Sequence, residues 1–140
     1  MKRFLAIDFG LKRTGIAVSD EHNIIAYGLT TVASKDLMTF LKAEIPKLGI
    51  GTIVIGEPKR MDASDAHITA NVRLLKEALQ NAFPSLEVVL MDERFTSKMA
   101  MQSLIQGGVS KKKRRDKALI DKVSATIILQ SYMQFRQLHG

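Results

Sequence analysis

Three observations predict an α/β domain on a five-stranded mixed sheet: three antiparallel strands, then parallel strands, with helices on both faces. The N-terminal third is a series of short apolar runs joined by tight turns. From residue 34 onward, helical periodicities alternate with apolar strands. The chain has 140 residues and 46% hydrophobic content, which suits one domain spanning 1–140 with a real core.

The first strand, residues 3–9, is an apolar run with one acid, Asp8, near its end. Gly10 and Gly15 flank a short basic turn before Ile16, Ala17 and Val18 resume the apolar pattern over 14–20. Glycine tolerates tight turns and close backbone approach, so a hairpin is expected with Asp8 at its edge. Residues 23–32 continue as a third strand after a turn at Glu21, His22 and Asn23, giving an antiparallel meander. Ser34 is placed to cap a helix in which Leu37, Leu41, Ile45 and Leu48 recur. Pro46 falls inside that pattern and predicts an irregular last turn. Residues 52–56 are wholly apolar, as befits a buried parallel strand.

A polar loop from Glu57 to Asp65 leads to a helix with Ile68, Val72, Leu75, Leu79 and Phe83 on one face, stopped by Pro84. Residues 86–91 form the fifth strand. A further helix is expected from Thr96 or Ser97 through Ile105, ended by Gly107 and Gly108. The last helix covers about 119–138, with Asp121, Ala125, Ile128 and Tyr132 on one stripe.

Composition narrows the function. Cysteine is absent, which excludes disulfides, thiol chemistry and cysteine zinc sites, and three scattered histidines offer no metal cluster. No apolar stretch of about 18 residues occurs, so no membrane partner is expected. Met1, Lys2 and Arg3 lead straight into a strand, and a cytoplasmic setting is expected. Net charge is +7, and residues 110–122 hold seven Lys or Arg against two Asp, so five of those charges sit in thirteen residues. Such a block is the footprint of a polyanion partner, or else a solvated loop.

The acids then matter as a set. Ligands of open α/β sheets gather at the C-terminal ends of parallel strands. Asp8 ends the first strand, Glu57 the fourth, and Asp92 and Glu93 the fifth, while Asp121 interrupts an apolar helical stripe. Each alone could be a loop acid, a cap or an ion pair. Together they repel unless cations neutralise them, and carboxylates suit Mg²⁺ or Mn²⁺. Paired metals of this kind can clamp the attacking and leaving oxygens of a phosphodiester. Arg13 and Arg94 could clamp phosphates or neutralise the acids; Lys59, Arg60, Lys111, Lys112, Lys113, Arg114 and Arg115 could contact backbone phosphates.

These residues resemble the ribonuclease H-like superfamily and, more closely, the YqgF family, also called RuvX. The matching motifs are Asp8-Phe9-Gly10 with Arg13-Thr14-Gly15-Ile16-Ala17, Ile55-Gly56-Glu57-Pro58, Asp92-Glu93-Arg94-Phe95-Thr96-Ser97, and residues 117–130 with Asp121 and Ala125. The resemblance implies a ribonuclease H-like fold and a Mg²⁺- or Mn²⁺-dependent nuclease, with Asp8, Glu93 and Asp121 matching the acidic triad. It implies a substrate that is ribosomal RNA precursor or branched DNA, in a bacterial cytoplasm, with ribosomal particles as a further partner. The family more often carries an apolar residue where Glu57 stands, so Glu93 is taken as the second acid with Glu57 in reserve. A dimer is expected for a junction resolvase, whereas an RNA nuclease could be a monomer. Two other readings stay open: a nucleotide-binding module of the actin-like type, and a non-catalytic nucleic-acid-binding or ribosome-assembly factor.

Overall fold

The computed structural model describes residues 2–57, 63–92 and 117–139, and side chains for 2–57, 70–91 and 122–137. Five strands form one sheet: β1 (Arg3–Phe9), β2 (Arg13–Ser19), β3 (Ala26–Ala33), β4 (Ile50–Glu57) and β5 (Glu87–Asp92), in the order β3-β2-β1-β4-β5. The β1–β2 and β2–β3 pairs are antiparallel, and the β1–β4 and β4–β5 pairs are parallel. Three helices are described: α1 (Leu37–Leu48), α2 (Ala63–Ala82) and α3 (Lys117–His139). The mixed sheet is as the sequence predicts. The helix expected over 96–105 lies outside the described residues.

Strand alternation sorts the core into two layers. Leu5 and Ile7 of β1, Ile16 and Val18 of β2, and Ile53 and Ile55 of β4 pack with Leu37, Leu41 and Ile45 of α1 and Val72, Leu75 and Leu79 of α2. The intervening Ala6, Ala17 and Val54 pack with Ala125, Ile128, Leu129, Tyr132 and Met133 of α3. So α1 and α2 cover one face, and α3 crosses β1, β2 and β3 on the other. The small side chains of Ala6, Ala17 and Ala125, all fully buried, let α3 come close.

Three local expectations shift. The third strand starts at Ala26 because residues 20–25 form a compact loop. There the Asp20 carboxylate accepts hydrogen bonds from the backbone N–H groups of Ile24 at 2.6 Å and Ile25 at 2.7 Å. Asn23 adopts a left-handed conformation, φ 55°, that asparagine tolerates. Ser34 opens a single 3-10 turn over Ser34–Asp36, and no side-chain cap precedes α1. Helix α1 runs through Pro46 to Leu48 without breaking. Near the end of a helix, one missing N–H is a small loss beside the packing of Leu41 and Ile45.

Candidate active site

The C-terminal edge of the parallel strands is built around Asp8. This residue pairs with Gly15 across the hairpin and is partly exposed, whereas Ala6 and Ile7 before it are fully buried. By alternation it shares a face with Phe4 and Ala6, the face that α3 covers. The turn that follows is tight. A Cβ added to Gly10 would lie 2.5 Å from the Arg13 carbonyl oxygen, so only glycine fits. Arg13 opens β2 at the same edge, half-buried.

Glu57 ends β4 at the same edge of the sheet. It is buried, and its Oε1 lies 3.0 Å from the Arg73 guanidinium of α2. Its alternation partners Ile53 and Ile55 belong to the α1 and α2 layer. Asp8 and Glu57 therefore share an edge but sit on opposite faces. In register, Glu57 faces Asp92, the last residue of β5.

Asp121 lies in the second turn of α3, one turn before the fully buried Ala125. The approach of that part of the helix to the sheet is close. A Cβ on Gly28 of β3 would lie 2.5 Å from Lys122 Cγ and 3.3 Å from Thr126 Oγ1. Farther along, Phe4 meets Tyr132 edge to face at 5.5 Å between ring centroids, with the Arg136 guanidinium 5.6 Å from the Phe4 ring. These contacts fix how α3 lies on the strand that carries Asp8.

Of the expected site residues, Glu93, Arg94, Lys59, Arg60, Lys111, Lys112, Lys113, Arg114 and Arg115 lie outside the described residues. Among the described residues no three His, Asp or Glu side chains come together. Of Asp8, Glu93 and Asp121, only Asp8 has a described side chain, and its carboxylate is of the kind that suits a hard cation. A partly exposed carboxylate stands at Asp8, and Ser124, one turn after Asp121, has a buried hydroxyl that lacks a partner among the described residues.

Sequence reading missed two residues. Arg73, which holds Glu57, is one basic residue on a helix, and no spacing rule singles it out. Ser34 was expected to cap α1. Instead its hydroxyl donates to the Gly10 carbonyl at 2.5 Å and contacts the Thr14 hydroxyl at 2.8 Å.

Comparison with known proteins bears on the family and the fold. A protein of Christiangramia forsetii named "Putative pre-16S rRNA nuclease" is 48% identical over 133 residues, covering 95% of this chain and 98% of its own. One from Porphyromonas gingivalis with the same name is 47% identical over 133 residues, covering 95% and 96%. Among solved structures, Thermus thermophilus RuvC in complex with a Holliday junction superposes with a TM-score of 0.61 at 15% identity, over 98% of this chain and 96% of RuvC. That likeness shows a shared fold, the RuvC type of the ribonuclease H architecture. The profile of the family described as "RuvX: Holliday junction resolvase" matches residues 2–135, from the first residue of β1's approach to the last turns of α3, and the chain belongs to the RuvX family.

Proposed function

We propose that this protein is a metal-dependent nuclease that cleaves phosphodiester bonds in structured nucleic acid, with the precursor of 16S ribosomal RNA as its substrate. The observation that carries this reading is the family match over residues 2–135. It spans a chain whose first-strand acid stands at the sheet edge crossed by α3. The names of relatives at 44–48% identity supply the RNA substrate. The chain's charge of +7 agrees with a polyanion partner.

Asp8, Glu93 and Asp121 would hold Mg²⁺ or Mn²⁺. The metal supplies an activated water and charge neutralisation at the phosphate. Glu93 is preferred to Glu57 because Glu57 is committed to Arg73 on the other face. Arg13, at the same edge as Asp8, offers a planar fork for a phosphate oxygen pair. Lys59, Arg60, Arg94 and the basic residues at 111–115 would hold the backbone beyond the cut.

The test is cleavage of labelled 16S precursor RNA and of a four-way DNA junction, side by side, with Mn²⁺ or Mg²⁺. Asp8→Ala is expected to abolish cleavage while keeping the melting temperature and nucleic-acid affinity close to wild type. Cleavage of RNA alone supports the proposal. Symmetric cleavage of the junction moves the assignment to a resolvase, the reading that the family's description favours. Binding of both without cutting either by wild type would make the protein a binding factor.

A further inference from the structure

The turn between β1 and β2 is held by an element twenty residues away. Ser34 lies at the junction of β3 and the 3-10 turn. Its backbone N–H donates to the Lys12 carbonyl at 2.9 Å. Its hydroxyl donates to the Gly10 carbonyl, which leaves the Thr14 hydroxyl to donate to Ser34 Oγ. Thr14 is fully buried, so this chain of hydroxyls is anchored in the sheet. Two carbonyls of a four-residue turn are thereby fixed from one side. From the other, the Arg13 carbonyl oxygen leaves no room for a Cβ at Gly10.

Packing does not explain this arrangement. Leu11, at the tip, is 60% exposed, and Lys12 beside it is exposed too. The turn buries little, so hydrogen bonds rather than apolar contact set its shape. Asp8 stands two residues before Gly10, and Arg13 closes the turn as the first residue of β2. A reacting group displaced by about 1 Å can lose about a hundredfold in rate. A clamp on the intervening turn is therefore well placed to govern both residues.

We propose that Ser34 is a positioning residue of the candidate site, fixing the 10–13 turn through Gly10 and Lys12 and so setting the bearing of Asp8 toward metal and of Arg13 toward phosphate. The proposal rests on the nuclease reading. Ser34 touches neither metal nor substrate; it acts through the turn.

The experiment compares wild type with Ser34→Ala, Ser34→Thr and Ser19→Ala. Ser19 is the control for losing a hydrogen-bonded serine hydroxyl away from the turn. It is more deeply buried than Ser34, lies at the far end of β2, and its hydroxyl accepts from the Phe4 N–H at 2.9 Å. Four quantities are read: kcat, KM, melting temperature, and Mn²⁺ affinity by titration without substrate. For S34A, kcat is expected to fall at least about tenfold, with KM within about threefold and Mn²⁺ binding weaker by about fivefold. S34T, which keeps the hydroxyl, is expected to restore both. S19A is expected to lose melting temperature but keep kcat and Mn²⁺ affinity. If S34A fails to fold, Thr14→Val removes the hydroxyl that anchors Ser34 at nearly constant shape and is expected to show the same two losses. The proposal is overturned if the turn variant retains kcat and Mn²⁺ affinity within about twofold, or if S19A loses as much. A wild type that binds Mn²⁺ yet cuts neither substrate overturns the nuclease reading instead, and the Mn²⁺ titration alone then decides the role of Ser34.

Discussion

Glu57 shows how one side chain's partner decides its role. An acid that is buried at a strand end is costly unless paired. Here the pair is Arg73, whose own side chain is 67% exposed. Arg73→Ala is expected to destabilise the fold by about 1–2 kcal/mol, less than a fully buried pair would command because water already screens the guanidinium. Chemical denaturation measures it. Glu57→Gln is expected to keep kcat within about threefold of wild type, whereas Asp8→Asn loses essentially all of it. A folded E57Q protein without activity would return Glu57 to the metal site. Asp20 offers a second test at this scale. Its carboxyl is held below the ordinary aspartate range, chiefly by the Ile25 backbone N–H and also by those of Ile24 and His22. A depressed folded pKa means that the stabilisation is present at neutral pH and lost as pH falls through that lowered value. The melting-temperature gap between wild type and Asp20→Ala is thus expected to be constant from neutrality to about pH 4 and to close below it. A gap that widens toward acid would contradict the assignment.

Helix α3 is the element that joins the two ends of the chain at the candidate site. Its docking depends on β3 having no side chain at Gly28, where the stem of Lys122 lies. Gly28→Val is expected to push that turn of α3 outward, and with it the backbone of Asp121 next to Lys122. Cleavage should fall by about tenfold or more, while Ala125, Ile128 and Tyr132 keep the helix attached. Parallel measurement of kcat and melting temperature separates the two effects. A G28V protein as active as wild type would mean that this turn does not set the site. The element scale also shows what a sequence can reveal. The alternation of Leu5, Ala6 and Ile7, and the stripe of Ala125, Ile128 and Tyr132, are local patterns, and the strands, the helices and the mixed character of the sheet follow from them. The place of Asp8 near the end of β1 was legible for the same reason, as an acid late in an apolar run. The start of β3, the true partners of Ser34 and the Glu57–Arg73 pair were not. The last two are decided by groups brought close only by folding, 24 residues on between Gly10 and Ser34 and 16 between Glu57 and Arg73, whereas the start of β3 is set by Asp20 accepting from the N–H groups of Ile24 and Ile25, a local turn that no apolar periodicity marks.

The molecule as a whole carries its charge unevenly, and that has a measurable consequence. Five of the seven net positive charges fall in residues 110–122, while the remainder of the chain is nearly neutral. If the block grips backbone phosphates, each contact releases counterions from the nucleic acid. The logarithm of the binding constant should then fall linearly with that of salt concentration, with a slope near −0.7 per contact on single strands and about −0.9 on duplex. Replacing Lys111, Lys112, Lys113, Arg114 and Arg115 by glutamine is expected to make that slope shallower by about 3.5 on single strands and about 4.5 on duplex if all five engage, and to weaken binding most at low salt. The effect should be alike on RNA and on junction DNA, because phosphate contacts position a nucleic acid without reading it. Discrimination between the two substrates must then come from the sheet edge around Asp8 and Arg13. A five-glutamine variant whose slope equals that of wild type would show a block that stays solvated, and would move the phosphate contacts to the Arg13 edge.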